Sequence, residues 1–309
     1  MKVGDYVVRQ SYNKDVLFII ISITKLHTAQ LKGISYRILA DAPLSDLELV
    51  GNMRFTTPES SIMEMIAQNI EDILMQHKIA DTTQMHKAGK VLHIDGDPFY
   101  LNVCLRYYEA LEVSAVGENI PESMQPKKVK ELIELHNPDI LVLTGHDSIH
   151  KHAQVREDGI ENYRNTKYYI EAVKEARKIR PTSNQLVIYA GACQSHFEEI
   201  LSAGADYASS PSRVLIHALD PAFIVERVAY CPFNQVLSLD EALKYTITKF
   251  EGLGGYENLG KFKRGGPLKK LDDVVLTPEV LEDIKIENYT EIDRSNRNQI
   301  GNSMPIKTW

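Results

Sequence analysis

The chain has 309 residues, of which 43% are hydrophobic and 25% are charged, and its formal net charge is −7. This length suffices for two domains, and the negative charge argues against nonspecific binding to nucleic acid. The longest apolar run, residues 16–21, is far shorter than the about 20 residues of a membrane helix, and no basic-then-apolar leader opens the chain. We therefore expect neither membrane insertion nor a secretory signal.

Residues 1–55 predict a small β module. Strands are expected at residues 2–8, 16–23, 34–39 and 47–50, with little helix between them. Several short strands of this kind indicate an SH3-like barrel. Such a module would serve either to dock or recruit a substrate or to cap the next domain, and the sequence leaves both open.

Residues 56–89 predict a helical connector. Thr57 can cap a helix, and Pro58 fits its first turn. Apolar residues then recur at helical spacing, which is typical of a packing face; they are Ile62, Met65, Ile66, Ile70, Ile73 and Leu74.

Residues 90–287 predict an α/β domain, followed by a polar tail at 288–309. Short apolar strands are expected at 91–94, 113–116, 140–145, 186–192 and 205–208. Helical patterns lie between and after them, at about 98–111, 127–136, 165–180, 194–201, 220–230 and 239–250. This alternation predicts a parallel sheet with helices on both faces.

A histidine and a cysteine follow two of these strands. His146 comes after the strand at 140–145, and Cys193 comes after the strand at 186–192. Because the carboxyl ends of parallel strands meet at one edge, we expect the two side chains to lie side by side. An imidazole can activate a thiol, and the predicted helix at 194–201 would bring its positive end to the sulfur. Backbone N–H groups near Gly145 and Cys193 could hold an oxyanion.

Acidic residues are expected at the same edge. Asp95 and Asp97 follow the strand at 91–94, where carboxylates would attract an arginine or lysine side chain. The same Asp-Gly-Asp-Pro sequence is also good turn chemistry. Asp220 and Asp206 are second choices for such a pocket. A metal site built on the two strand-end aspartates lacks a third ligand nearby, so we predict no metal.

Other reactive residues have plainer interpretations. His150 and His152 favour a solvated loop, which could also act as a substrate flap. Cys104 and Cys231 are expected to pack in the structure, and three cysteines without metal spacing fit a reducing compartment. The basic, glycine-rich residues 261–266 indicate an exposed loop or a self-cleavage site. No Walker loop or GxGxxG motif appears, so neither nucleotide nor another cofactor is expected.

The motifs LVLTGHD and VIYAGACQS, with 47 residues from His146 to Cys193, resemble the pattern of caspase-type cysteine peptidases. Asp147 stands where those enzymes usually have glycine, and Gln194 and Ser195 replace the usual residues after the cysteine. The stretches MKVGDYVVRQSYNKDVLFII, HIDGDPFYLNVCL and GACQSHFEEILSAGADYASSP resemble the YabG family of sporulation-specific spore-coat proteases. That resemblance runs from residue 1 to about 270.

The resemblance implies a caspase-like cysteine endopeptidase that acts on spore-coat proteins from the mother-cell cytoplasm, without a cofactor. His146 would be the general base and Cys193 the nucleophile, and a carboxylate-lined pocket would favour cutting after arginine. Two alternatives remain open on the sequence: a noncatalytic flavodoxin-like binding module and a scaffold protein of the coat. The charge of Asp-Gly-Asp-Pro is wrong for the phosphate loop of a flavodoxin-like module.

Overall fold

The computed structural model describes residues 1–50, 58–80, 85–150 and 159–265. Several sequence predictions concern residues outside these ranges. They are the helix cap at Thr57, the boundary at residue 55, the loop residue His152, the last part of the α/β domain and the polar tail 288–309.

The N-terminal module is one antiparallel sheet of five strands in the order β4-β3-β2-β1-β5. The strands are β1 (Tyr6–Arg9), β2 (Phe18–Ile23), β3 (Thr28–Gly33), β4 (Leu39–Pro43) and β5 (Leu47–Leu49). Alternate apolar side chains enter a core of their own, as period-2 patterning requires; they include Val7, Phe18, Ile20 and Leu31.

The prediction of a strand at residues 34–39 is wrong, because residues 34–38 connect β3 to β4 and the strand begins only at Leu39. The N–H of Ile38 donates to the carbonyl of Tyr36 at 2.8 Å, and the N–H of Gly33 donates to the carbonyl of Ile38 at 2.9 Å. These bonds close a tight loop. A Cβ at position 33 would collide with the carbonyl oxygen of Tyr36, so glycine is needed there.

Helix α1 (Pro58–Ala80) is followed by the short strand β6 (Met85–Lys87). Ile66, Ile70 and Ile73 of α1 pack into the core of the α/β domain, as predicted for a packing face, whereas Met65 of the predicted stripe is exposed. No helix in the part of the chain that the structure describes is long and apolar enough to cross a membrane.

The α/β domain contains a mostly parallel sheet flanked by helices, as predicted. Its parallel strands are β7 (Val91–Asp95), β8 (Ala115–Asn119), β9 (Ile140–Thr144), β10 (Val187–Ala190) and β11 (Tyr207–Ser209). The remaining strands are β12 (Val236–Leu237), β13 (Leu253–Gly255), β14 (Asn258–Leu259) and β15 (Lys263–Gly265). The sheet order is β13-β11-β10-β9-β7-β8, in which β13 is antiparallel to β11.

The longer helices of this domain are α2 (Pro98–Ala110), α3 (Gln125–His136), α4 (Thr166–Ile179) and α6 (Asp220–Tyr230); the shorter ones are α5 (Phe197–Ser202), α7 (Leu239–Ala242) and α8 (Lys249–Gly252). Alternate residues of β9 enter different cores. Ile140 and Val142 pack with residues of α1, α2 and α6, whereas Leu141 and Leu143 pack with residues of α3, α4 and α5. The sheet is therefore covered on both faces.

Two predicted helices are shorter than expected. The helix after Cys193 begins at Phe197, so the cysteine lies in a turn and the predicted effect of the helix dipole does not apply. Ser238 caps α7 as predicted, by accepting from the N–H of Glu241 at 3.3 Å, but α7 ends at Ala242. The Asp220 carboxylate accepts a hydrogen bond from the N–H of Ile247 at 2.6 Å. The residues after α7 are therefore held as a loop and do not continue the helix.

Candidate active site

Two neighbouring parallel strands, β9 and β10, lead to His146 and Cys193. Leu143 of β9 pairs with Ala190 of β10, and each candidate residue follows its paired strand residue by three positions. Both residues therefore lie beyond the carboxyl ends of adjacent strands, where open α/β sheets keep their binding sites. Their catalytic roles stay predictions.

The thiol of Cys193 is buried. Its sulfur accepts a hydrogen bond from the backbone N–H of Ile216, with N and Sγ 3.3 Å apart. Burial raises the pKa of the Cys193 thiol to about 11, although the Ile216 N–H and the charge and backbone N–H of Arg37 act to lower it. In the arrangement observed, Cys193 is therefore a neutral thiol at neutral pH.

The imidazole of His146 lies between two carboxylates. Its Nε2 is 3.7 Å from Oδ2 of Asp97, and its Nδ1 is 4.0 Å from Oε1 of Glu122. Burial lowers the pKa of His146, while Asp97 and Asp95 act to raise it. Nε2 is buried without a hydrogen-bond partner among the described residues. A neutral imidazole with an unused nitrogen is suited to accept a proton.

Tyr100 of α2 adjoins both candidates. Its ring centroid is 5.7 Å from that of His146. Burial raises the pKa of the Tyr100 phenol, and the nearby Cys193 contributes in the same direction. The phenol oxygen lies 2.7 Å from the carbonyl oxygen of Gly33 and 2.8 Å from that of Tyr36. One side chain thus connects the sheet edge to the loop between β3 and β4.

Asp147 joins the turn after His146 to the turn after Cys193. Its carboxylate accepts from the hydroxyl of Ser195 at 2.9 Å and from the hydroxyl of Thr166, and it also accepts from the N–H of Asn165 at 2.8 Å. The Ser195 oxygen in turn accepts from the N–H of Ala192 at 2.9 Å. Asp147 and Ser195, which both depart from the caspase-type pattern, therefore hold together the turn after His146 and the turn after Cys193.

Asp95 binds an arginine of the chain itself. Nη1 of Arg37 lies 2.5 Å from Oδ2 of Asp95, and both side chains are fully buried. Although burial acts to raise it, the guanidinium holds the pKa of Asp95 well below its usual range. The hydroxyl of Thr144 also donates to Oδ2 of Asp95 at 2.8 Å, and His93 Nε2 lies 2.7 Å from the same hydroxyl. This carboxylate is charged and rigidly held.

Asp97 has two roles in the structure. It caps α2 by accepting from the N–H of Phe99 at 2.9 Å, which is the turn chemistry considered above. Its other oxygen forms an ion pair with Nζ of Lys32 at 2.7 Å. Asp95 also accepts from the N–H of Asp97 at 2.8 Å, so the two aspartates form a turn and bind cationic side chains at once.

The remaining predicted residues lie as follows. Asp220 is fully buried at the start of α6, and burial raises its pKa to about 6. Asp206 precedes β11, at the opposite edge of the sheet, where it pairs with Arg177 at 2.6 Å and does not border the site. Gly145 adjoins Glu122, whose carboxylate a Cβ at position 145 would strike. The oxyanion role of the backbone N–H groups of Gly145 and Cys193 stays a prediction.

Three residues of the site were not predicted from the sequence. Glu122 accepts from the N–H of His146 at 2.7 Å and follows β8, so the rule that sites gather at carboxyl ends of strands could have found it. Tyr100 follows β7 by five residues, within the helix expected there. Nothing local marks Arg37, because only the packing of the N-terminal module brings it to the sheet. No group of three or more potential metal ligands occurs among the described residues.

Comparisons with known proteins agree with the family resemblance. Residues 2–267 match the family model described as YabG peptidase U57. The chain is 40% identical over 286 residues to the sporulation-specific protease YabG of Bacillus subtilis (strain 168), a match that covers 87% of this chain and 98% of that protein.

Among solved structures, a cobalamin-binding protein from Desulfitobacterium hafniense DCB-2 matches with a TM-score of 0.32 and 21% identity. The match covers 54% of this chain and 70% of that protein. A likeness this distant carries no inference about fold or ligand.

Proposed function

The chain belongs to the YabG peptidase U57 family and is therefore a peptidase, and we propose that it is a cysteine endopeptidase with Cys193 as nucleophile and His146 as general base. The observation that carries this proposal is the pair of adjacent, parallel strands whose carboxyl ends lead to these two residues. Membership in a peptidase family argues against the flavodoxin-like binding module and the coat scaffold.

The reaction would proceed by acyl transfer. His146 accepts the proton of the Cys193 thiol, and the thiolate attacks the carbonyl carbon of the scissile bond. Backbone N–H groups near Gly145 and Cys193 bind the oxygen that becomes negative. The amine leaves with the proton held by His146, and water then hydrolyses the thioester. Because Cys193 is a neutral thiol in the arrangement observed, this proton transfer is part of the reaction and does not precede substrate binding.

We propose that the enzyme cuts after arginine. Asp95 is a buried, charged carboxylate, and it already binds one guanidinium, that of Arg37. A planar guanidinium paired with a carboxylate is a strong and geometrically specific contact. Asp97 lies beside it and binds the ammonium group of Lys32, so the second aspartate is a further carboxylate that binds a cationic side chain.

We also propose a division of the chain into domains. The α/β domain would be a caspase-like peptidase domain spanning residues 90–287, with α1 in a connector at 56–89. The five-stranded N-terminal sheet, at residues 1–55, would be an SH3-like module, and 288–309 would be a tail. The substrates would be spore-coat proteins, reached from the mother-cell cytoplasm, and the enzyme would associate with the coat.

Cleavage of a peptide library that contains arginine, and of a spore-coat extract, tests this function. The wild type is expected to cut after arginine, and Cys193→Ala is expected to lose all cleavage while its circular dichroism stays unchanged. His146→Ala should lose about 10²-fold or more, because a positioned base contributes that much.

Cys231→Ala is the matched control, because Cys231 is a second free thiol that lies after α6, away from the sheet edge. It should cleave like the wild type. Equal cleavage by the wild type and Cys193→Ala would move the chemistry to another residue. Cleavage after residues other than arginine would contradict the role of Asp95.

A further inference from the structure

The loop between β3 and β4 enters the candidate active site. This loop, residues 33–38, is called the 33–38 segment below. Its residues Ser35 and Arg37 are buried, although connecting loops usually lie on the surface. A buried loop needs partners for its backbone, and the 33–38 segment finds them in the α/β domain.

The backbone of the segment pairs with the chain that touches the Cys193 thiol. The N–H of Ala218 donates to the carbonyl of Ser35 at 2.7 Å, and Tyr36 forms an antiparallel bridge with His217. Ile216, just before this bridge, donates its N–H to the Cys193 sulfur. An extended segment thus adds to the edge of the cleft, as peptides do when they bind by strand addition.

Arg37 continues this binding into the pocket. Its backbone N–H acts to lower the pKa of the Cys193 thiol, while its guanidinium pairs with Asp95 at 2.5 Å. Nη2 also lies 3.6 Å from the sulfur of Cys104. If Asp95 receives the substrate arginine, as proposed above, Arg37 on the same buried carboxylate would occupy the place of the residue before the cut.

The chain leaves the cleft immediately after this arginine. The N–H of Ile38 donates to the carbonyl of Tyr36 across Arg37, and the carbonyl of Ile38 accepts from Gly33. The backbone therefore bends back to β4 and does not continue past Cys193. An extended substrate would continue along the cleft, so this turn distinguishes a bound inhibitor from a substrate ready to be cut.

We propose that the 33–38 segment is an internal substrate mimic, which fills the arginine pocket and covers Cys193 until the N-terminal module moves away. The inference rests on the proposed function, since it assigns the occupied cleft to substrate. A protein substrate must compete with a segment of the same chain, so its apparent affinity is reduced by the fraction of molecules that are open. The ion pair of Lys32 with Asp97, at the start of the segment, adds to the closed state.

Alkylation of the wild-type protein with iodoacetamide, followed by mass spectrometry of the cysteine peptides, tests this proposal. Cys193 and Cys104 are both buried. Arg37 of the segment also lies against Cys104, so opening of the 33–38 segment exposes both thiols, and Cys193 should be alkylated about tenfold faster or more than the protein unfolds globally, as expected for sub-global opening. An alkylation rate of Cys193 equal to the rate of global unfolding would overturn the proposal, because the segment would then be a permanent part of the fold.

Variants of the module sharpen the test. Arg37→Ala should raise the rate of Cys193 alkylation and the turnover of an arginyl peptide by about tenfold or more, by increasing the open fraction. Arg9→Ala is the matched control, since Arg9 is a mostly buried arginine of the same sheet that stacks on Tyr12 and Phe18. It should leave both rates unchanged. If Arg37→Ala does not fold, the comparison of the Cys193 alkylation rate with the rate of global unfolding in the wild type decides alone.

The two proposals fail in different ways. Peptide cleavage by the wild type, with both Cys193 alkylation and peptide turnover unchanged in Arg37→Ala, would overturn the mimic and leave the peptidase in place. Selective, Arg37-dependent alkylation of Cys193 with no cleavage by any variant would overturn the peptidase and, with it, the assignment of the segment as a substrate mimic.

Discussion

The guanidinium of Arg37 and the carboxylate of Asp95 form a fully buried ion pair, 2.5 Å apart, between the N-terminal module and the end of β7. It joins the two parts of the protein at the edge of the sheet where Cys193 and His146 lie. A buried pair is held only if both charges remain, because either charge alone is costly in a low dielectric. Under the two proposals, the stability of the closed form and the recognition of arginine would depend on the same carboxylate.

Removing the negative charge of this pair should destabilise the fold. Asp95→Asn leaves the Arg37 guanidinium buried without a counter-charge, and we expect the free energy of unfolding in urea to fall by about 3–5 kcal/mol. Glu48→Gln is the control, since it breaks the exposed pair of Lys14 and Glu48 and should cost less than about 1 kcal/mol. An Asp95→Asn protein as stable as the control would show that the buried pair contributes little.

Asp147 should position the catalytic turns. Asp147→Asn weakens its bonds to Ser195 and Thr166. A shift of the reacting groups by about 1 Å can cost about 10²-fold, so kcat should fall by up to that factor while KM changes little.

Asp139→Asn is the matched control for Asp147. Asp139 precedes the same strand, β9, and its carboxylate accepts from the N–H of Lys90 at 3.0 Å at the opposite edge of the sheet. It should retain the kcat of the wild type. Loss of kcat in both variants to the same extent would indicate general destabilisation and not positioning.

Much of this arrangement follows from local pattern. The strands leading to His146 and Cys193 are continuous apolar runs closed by glycine or alanine, and such runs predict buried parallel strands with known edges. The prediction of a helix directly after Cys193 is wrong because Gln194 and Ser195 form hydrogen bonds to other parts of the chain. The N–H of Gln194 donates to Oγ of Ser210 at 3.0 Å, and the hydroxyl of Ser195 donates to Asp147. Such bonds between distant residues leave no local signal.

In the N-terminal module, too, contacts between distant residues could not be predicted from the local sequence pattern. Residues 34–39 carry the alternation of a strand, but Ser35 and Tyr36 pair with residues of the α/β domain, and only Leu39 lies in a strand of the N-terminal sheet. Period-2 patterning predicts an extended backbone without naming its partner. The position of Arg37 on Asp95 therefore required the packing of the two modules.

His217 should make the fold sensitive to acid. Burial lowers its pKa to about 3, whereas an unfolded histidine titrates near about 6.5. The unfolded chain therefore binds a proton below this value while the folded chain does not, and stability is lost as pH falls from about 6.5 toward about 3.

In His217→Asn the loss of unfolding free energy between about pH 7 and pH 5 should be smaller than in the wild type by about 2 kcal/mol. Urea denaturation at both pH values measures it. The exposed His27, replaced by Asn, is the control and should keep the pH dependence of the wild type. An unchanged slope in His217→Asn would show that another group carries the acid sensitivity.

The Cys193 thiol should be neutral at rest. Burial raises its pKa to about 11, so Cys193→Ala should leave the ultraviolet absorbance of thiolate unchanged at neutral pH. Absorbance that falls by one thiolate equivalent in this variant would reveal a preformed ion pair of Cys193 with a cation, and it would contradict proton transfer during attack.

The most direct measurement is the reaction of the wild-type protein with a peptidyl-arginine chloromethyl ketone, followed by mapping of the adduct by mass spectrometry. We predict a single adduct on Cys193, which is absent in Cys193→Ala and forms more slowly in His146→Ala. An arginyl reagent that modifies Cys104 or Cys231 as readily as Cys193, or that leaves Cys193 unmodified in a preparation that cleaves peptides, would contradict Cys193 as the nucleophile of an arginine-specific site.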